Sequence, residues 1–362
     1  MNDPTSIALV RLSHLGDVVL ALPLFHALRE RFPRARLAWV VQSEFAGLLD
    51  GLGGLDRIVR FERRGGASAW LALQRELASL APQLAVDAQG NYKSALATLV
   101  SGAPRRVGVA PRDWRERGAW LAMTEFAEAL SPSEEHAMDR TRALVEHLCG
   151  SRELRRDPAL GADELERGRR ELDARCGTDA APLIVQLSDE RDVRAWPLER
   201  ALELARDSAA AGWRVLLLSG PSEEAQGHAA AEHLRAEPRV AHWVAQRGLR
   251  QLAALFSAAA ERGACYVGPD TGPTHLAAAC GLRVVVLAGP QSHLRTGPWP
   301  VAEPSARGAS PHRVVRSPLA LDCAPCLERS CRRADGPLCM RSIEPAAVLA
   351  LAQGAAAAAS TR

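Results

Sequence analysis

The feature that most constrains this chain is a rhythm of short runs, apolar on both faces, alternating with amphipathic stretches; the pattern runs through once and then begins again. The first half reads IALVRL (7–12), a helix from about Val18 to Arg31, LAWVV (37–41), a helix near 43–50, RIVRF (57–61), a helix over 69–80, LAVDAQ (84–89) and a further strand, RVGV (106–109). Doubly buried strands joined by helices call for a parallel sheet, because every crossover lays a helix on one of its faces. From Ser131 to about Pro182 the chain reads as helices and a polar, arginine-rich connector. The rhythm restarts with LIVQLS (183–188), a helix near 198–211, WRVLLLSG (213–220), a helix over 223–235 and a weak strand at VAHWV (240–244). It continues with a helix near 249–260, ACYVGPD (264–270), a helix over 274–280 and RVVVLAG (283–289), and PAAVLALAQGAAAAAS closes the chain as a helix with a tail.

The expected fold class is therefore α/β, with two doubly wound, Rossmann-like domains: residues 1–165, residues 166–344, and a closing helix and tail over 345–362. A chain of 362 residues is too long for one ordinary core. In open parallel sheets ligands bind beyond the carboxyl ends of the strands, where the strand order reverses, and two such domains facing each other would make a cleft. Composition narrows the class. Apolar residues make up 47% and charged residues 24%, as in a globular protein, and the net charge of +3 does not call for nucleic acid as a partner. No apolar run approaches the roughly 18–20 residues that span a bilayer, and the first residues lack the parts of a signal peptide, so a cytoplasmic protein is expected.

Three segments carry chemistry. In SHLGDVVLALP (13–23), Gly16 allows a tight turn after the first strand and Asp17 stands where the helix begins. Asp17 reads either as a helix cap, worth ~1 kcal/mol, or as a general base for an attacking hydroxyl. In VGPDTGPTHLAAACG (267–281), the helix start at Gly272 offers free N–H groups to a diphosphate, with Thr271 and His275 as further donors; the alternative is that Asp270 and Thr271 only cap the helix. In RDVRAWP (191–197), Arg194 is placed to reach a phosphate or is merely a solvated charge, and in LLSGPSEEA (217–225) Glu223 or Glu224 would accept from a ribose or serve as first-turn helix charge. Among 45 basic residues Lys93 is the only lysine, which marks a position wanting a compact ammonium or a chance survival.

With SHLGDVVLALP, VDAQGNYKSA (86–95), HAMDRTRALVEHL (136–148), RAWP and GPDTGPTHLAAA (268–279) in this order, the sequence resembles glycosyltransferase family 9, the ADP-heptose:lipopolysaccharide heptosyltransferases, most closely the heptosyltransferase I branch. The resemblance implies a GT-B fold and an inverting displacement with no required cofactor or metal. It implies an N-terminal acceptor-binding domain and a C-terminal nucleotide-sugar domain. Asp17 falls on the family's base, and Asp270, Thr271, Gly272 and His275 fall on its diphosphate loop. Arg194 stands where the branch carries lysine, and Asp189 and Glu190 replace the expected hydroxyl residues. The implied partners are ADP-heptose and a lipid A-linked core oligosaccharide at the inner leaflet of the inner membrane, whose acidic groups suit Gly16, Lys93, Arg63, Arg64 and Arg117; the Arg105–Arg106 and Arg112–Arg115 clusters also fit, unless they are ordinary surface charge.

The residues agree on metal independence, since no two aspartates lie two apart to form a D-x-D pair. Cys323, Cys326, Cys331 and Cys339 have the spacing C-x2-C-x4-C-x7-C, open to a structural metal site, to disulfides or to free thiols. A Rossmann oxidoreductase is unsupported, because only SHLGD, not G-x-G-x-x-G, follows the first strand. A family 9-like transferase with another nucleotide-sugar donor, a sugar-nucleotide epimerase, and a binding-only homologue remain as alternatives.

Overall fold

A computed structural model describes residues 3–131, 136–178, 180–245, 248–301 and 310–360, with side chains to Gly354. The chain divides into two compact units, Met1–Ala159 and Leu160–Arg362. The first is built on a six-stranded sheet of β1 (Ser6–Val10), β2 (Arg36–Gln42), β3 (Arg57–Phe61), β4 (Leu84–Asp87), β5 (Arg105–Gly108) and β6 (Glu125–Phe126), in the order β3-β2-β1-β4-β5-β6. The second repeats the plan with β7 (Leu183–Gln186), β8 (Val215–Ser219), β9 (Val240–Val244), β10 (Cys265–Pro269), β11 (Arg283–Ala288) and β12 (Arg313–Arg316), in the order β12-β11-β10-β7-β8-β9. Every strand pair is parallel. All carboxyl ends of a sheet therefore lie on one edge, and the strand order reverses once in each sheet, between β1 and β4 and between β10 and β7.

Register places the chemistry. Val10 stands between Val40 and Asp87, so the residues that follow β1 emerge beside those that follow β4. In the second sheet Val267 stands between Val185 and Val285, which brings the loops after β7 and β10 together. Each sheet is anchored by its own core. In the first unit Val10, Leu12, Val40, Val59 and Phe61 pack with Leu73 and Leu77 of the helix Gly66–Leu80. In the second, Val185, Leu217, Val267 and Val285 share a core with Trp196, Met340, Ile343 and Val348, so the closing helix Pro345–Ser360 is part of this unit. The Trp196 indole N–H donates to the Ile343 carbonyl at 3.1 Å, which satisfies the polar end of a buried aromatic.

Several boundaries differ from the sequence expectations. The first helix runs Leu15–Arg31, starting before Val18, because His14 and Asp17 form a capping box that carries the turn backwards. The helix expected near 43–50 is a single turn, Ser43–Ala46. Strands β6 and β12 escape a pattern search because they are short and half-polar: Glu125–Phe126 has two residues, and Arg313–Arg316 has arginine at each end. A division at residue 165 would cut the first turn of the helix Ala162–Cys176, which packs on the helix Leu249–Glu261 in the second unit. Gly168 permits that approach, since a Cβ there would collide with the Ala254 carbonyl.

Candidate active site

At the reversal point of the first sheet, Asp17 occupies the third position of the helix Leu15–Arg31. One carboxylate oxygen accepts from the His14 backbone N–H at 3.1 Å, and the other pairs with the Arg11 guanidinium at 2.7 Å. The cap is therefore real. It does not consume the side chain, because a carboxylate offers about four lone-pair sites and this one remains 35% exposed. Sequence reasoning missed Arg11, although the signal was present as a lone cation closing an apolar strand. Its side chain is only 12% exposed and also donates to the Ala88 carbonyl, beyond β4. A second tie crosses the same gap: Gln89 Oε1 accepts from the Leu12 N–H at 2.8 Å and, more weakly, from the Ser13 N–H at 3.4 Å. Asp87 lies beneath, its carboxyl held by the N–H groups of Gln89 and Gly90 at 2.8 Å each. Burial pushes Asp87 above the ordinary carboxylate range, against these bonds.

The expected acceptor-side cations share this carboxyl edge. Arg63 and Arg64 are exposed just after β3, and Lys93 is exposed on the first turn of the helix Tyr92–Val100, which follows β4. Arg117 is exposed beyond β5, in a segment fastened to that helix because the Tyr92 N–H donates to Glu116 at 2.6 Å and the Tyr92 hydroxyl donates to the Arg117 carbonyl. Gly16 is buried at the second position of the helix that presents Asp17. Arg105 and Arg106 are otherwise engaged: Arg105 pairs with Glu125 at 2.6 Å, holding that carboxyl down near about 2, and Arg106 donates to the Ala122 and Ala103 carbonyls.

The second sheet forms an opening of about 220 Å³ at its own reversal point, lined by Gln186, Ser188, Asp192, Arg194, Glu223 and Thr271 among others. Arg194 donates through Nε and Nη2 to Asp192 at 2.9 and 2.6 Å, and through Nη1 to the Asp270 carbonyl at 3.0 Å. A guanidinium has five N–H groups, so two remain for a ligand. Trp196 and Pro197 lead into the helix Leu198–Ala210, as the sequence suggested. The buried Asp270 carboxylate accepts from Thr296 at 2.7 Å and from His275 Nε2 at 3.1 Å. His275 thus turns its N–H toward Asp270, away from the role of a diphosphate donor, and its Nδ1 is buried with no hydrogen-bond partner among the described residues.

Thr271 holds the N-cap position of the helix Gly272–Ala279 without a side-chain capping bond, its hydroxyl shared instead between Gln186 Oε1 at 3.2 Å and the Pro269 carbonyl at 3.4 Å. The N–H groups of Thr271 and Gly272 have no acceptor among the described residues, and Pro273 has no N–H to offer. Such a helix start favours an anion. Glu223 reaches the opening while also accepting from the Gly220 N–H at 2.9 Å; Glu224, one residue on, faces His228 at 3.5 Å and does not line it. Asp189 lines the rim and is held near about 2 by the Arg191 guanidinium beside it, and Glu190 is exposed. Gln186 and Asp192 also line the opening, and Thr296 holds the Asp270 carboxylate; sequence reasoning reached none of the three.

Behind Glu223, Ser219 at the end of β8 shares a 2.8 Å hydrogen bond with His242 of β9. Burial, and then the neighbouring His228 and Arg175, push His242 down to about 4. The native state therefore resists protonation that the unfolded chain accepts, so this stability is complete above the usual histidine value of 6.5 and is lost as pH falls from there toward 4. Urea midpoints at pH 7 and pH 4.5 should fall less for His242→Gln, which keeps a hydrogen-bonding group but cannot titrate, than for the unaltered chain; equal falls would refute the assignment.

Cys323, Cys326, Cys331 and Cys339 are free thiols, and burial with its three neighbours raises Cys339 to about 11. Among the described residues no three His, Cys, Asp or Glu side chains gather as a metal site would require. No helix of the described residues is long and apolar enough to cross a membrane.

Comparison with known proteins follows the same plan. The sequence profile of glycosyltransferase family 9 (heptosyltransferase) matches residues 70–333, well over half of the chain. Lipopolysaccharide heptosyltransferase 1 of Pseudomonas aeruginosa is 28% identical, with 94% of each chain covered. Among solved structures, a family 9 glycosyl transferase from Veillonella parvula superposes with a TM-score of 0.78 at 18% identity, covering 98% of both chains. The E. coli heptosyltransferase WaaC, solved with ADP, gives 0.71 at 22% identity, covering 97% of this chain and 99% of that one. At these identities the structures speak for the GT-B fold, and the profile speaks for the family. With its two six-stranded parallel sheets and this match, the chain is a member of glycosyltransferase family 9, the heptosyltransferases.

Proposed function

We propose that this enzyme transfers a heptose, with inversion, from ADP-heptose to a hydroxyl of a Kdo or heptose in the lipopolysaccharide inner core. The observation that carries this reading is the half-open Asp17 carboxylate at the first sheet's reversal point, on an edge that also bears Arg63, Arg64, Lys93 and Arg117. Asp17 takes the proton as the acceptor oxygen attacks the anomeric carbon, the C–O bond to the diphosphate breaks, and ADP leaves. The cationic edge suits an acceptor rich in carboxylate and phosphate, and it would also draw the protein to anionic lipid at the cytoplasmic face of the inner membrane.

On the donor side, Arg194 and the N–H groups of Thr271 and Gly272 hold the diphosphate, with Glu223 toward the ribose. These fixed donors are placed to stabilise charge as it develops on the leaving group, and we propose that no metal is required. Family relatives support the donor assignment: one is named for lipopolysaccharide heptosyl transfer and another was solved with ADP. Calorimetric titration with ADP, ADP-heptose, UDP and UDP-glucose in EDTA is the test. Selective binding of the adenine pair is expected; preference for the uridine pair would overturn the donor, and binding abolished by EDTA would overturn metal independence.

A further inference from the structure

Arg11 is the least exposed charged group in contact with Asp17, and its environment is unusual for a structural ion pair. One guanidinium nitrogen is spent on the Ala88 carbonyl after β4, and another meets Asp17 at 2.7 Å. The third, Nε, is buried without a hydrogen-bond partner among the described residues. A buried donor left unmade is costly, so the side chain is not arranged to maximise its own bonds. It is arranged to face Asp17. The backbone around it is braced as well: the Arg11 N–H donates to the Val40 carbonyl at 3.1 Å, and Gln89 Oε1 takes the next two N–H groups, Leu12 strongly and Ser13 weakly. The Arg11 stem is thereby pinned between β2 and the loop after β4.

We infer that Arg11 is the positioning residue of the transfer reaction, holding one oxygen of Asp17 so that the free lone pairs of the carboxylate point at the acceptor hydroxyl. This rests on the reading of Asp17 as the general base. Without Arg11 the carboxylate would keep only the capping bond from the His14 N–H and the exposed His14 ring at 4.0 Å, both on its other oxygen, leaving rotation about its terminal bond less restricted. The loss would fall on the chemical step, since misplacement of a reacting group costs rate even where binding is intact. A side chain that merely stabilised the fold would show no such selectivity.

The test is a double-mutant cycle on the full-length enzyme, measuring heptosyl transfer from ADP-heptose to Kdo-lipid A for Arg11→Met, Asp17→Asn and the pair. Arg11→Met should lower kcat by about tenfold or more, as expected for a displaced catalytic group, with the KM for ADP-heptose unchanged. Added to Asp17→Asn it should lower kcat little further, because residues that act as one unit are not additive. Arg11→Lys should recover part of the loss, and it supplies the same cycle should Arg11→Met fail to fold. An equal Arg11→Met effect with and without the Asp17 carboxylate, or an effect confined to KM, overturns the positioning role while leaving the base intact. Normal turnover in Asp17→Asn overturns the base itself, and the positioning role with it.

Discussion

Replacing Asp17 by Asn should lower kcat by roughly 10²–10⁴-fold, the usual cost of losing a general base, while ADP binding, assigned to the other sheet, stays at its original strength. Asparagine is the informative choice because its carbonyl oxygen can still accept from the His14 N–H, as the carboxylate does at 3.1 Å. The cap survives and the basicity goes. Asp17→Ala removes both, and the missing cap adds ~1 kcal/mol of destabilisation. Asn also leaves the Arg11 guanidinium, only 12% exposed, without its carboxylate, which costs about 1–3 kcal/mol. That stability loss and the barrier increase, ~3–5 kcal/mol for the expected rate factor, are separable: rates are compared on protein shown by its unfolding curve to be folded at the assay temperature. A folded Asp17→Asn enzyme with unimpaired turnover would reduce Asp17 to a helix cap and leave the reaction without an assigned base.

Why Asp17 was legible in the sequence and Arg11 was not is a question of locality. The turn at Gly16, the cap and the helix that follows are written within a few neighbouring residues, and the apolar runs of β1, β4, β7 and β10 are buried on both faces, so periodicity alone finds them. Partnerships across strands are set by register. Arg11 meets the loop after β4 because Val10 pairs with Asp87, and Gln186 meets Thr271 because Val185 pairs with Val267. Neither relation leaves a mark in local spacing. Glu223 and Glu224 show the same limit at its smallest scale. Both are acidic at a helix start, yet the short turn Pro221–Glu223 sends the first to the opening and the second along the helix. His275 sits on the helix Gly272–Ala279, and its direction depends on the buried carboxylate of Asp270, itself held by Thr296, 26 positions from Asp270.

Arg194→Ala should weaken ADP binding by about 10- to 100-fold, the range expected when a charge-assisted hydrogen bond of ~1.5–3 kcal/mol is lost. The geometry explains why the effect should exceed that of an ordinary surface arginine. Arg194 is half-buried, and Asp192 together with the Asp270 carbonyl holds three of its N–H groups before any ligand arrives. The two remaining N–H groups are thus presented without the full entropy cost of freezing a long side chain, which is ~2 kcal/mol for a free arginine. Arg194→Lys restores the charge but not the fork: an ammonium pairing with Asp192 cannot also hold the Asp270 carbonyl with the same geometry, so only part of the affinity should return. Asp192→Asn should weaken binding less than Arg194→Ala, because it loosens the guanidinium and leaves it in place. Calorimetry with ADP on the three variants gives the order directly. If Arg194→Ala binds ADP as tightly as the unaltered enzyme, the diphosphate is held by the N–H groups of Thr271 and Gly272 without it, and Arg194 serves only to brace the loop of Asp270.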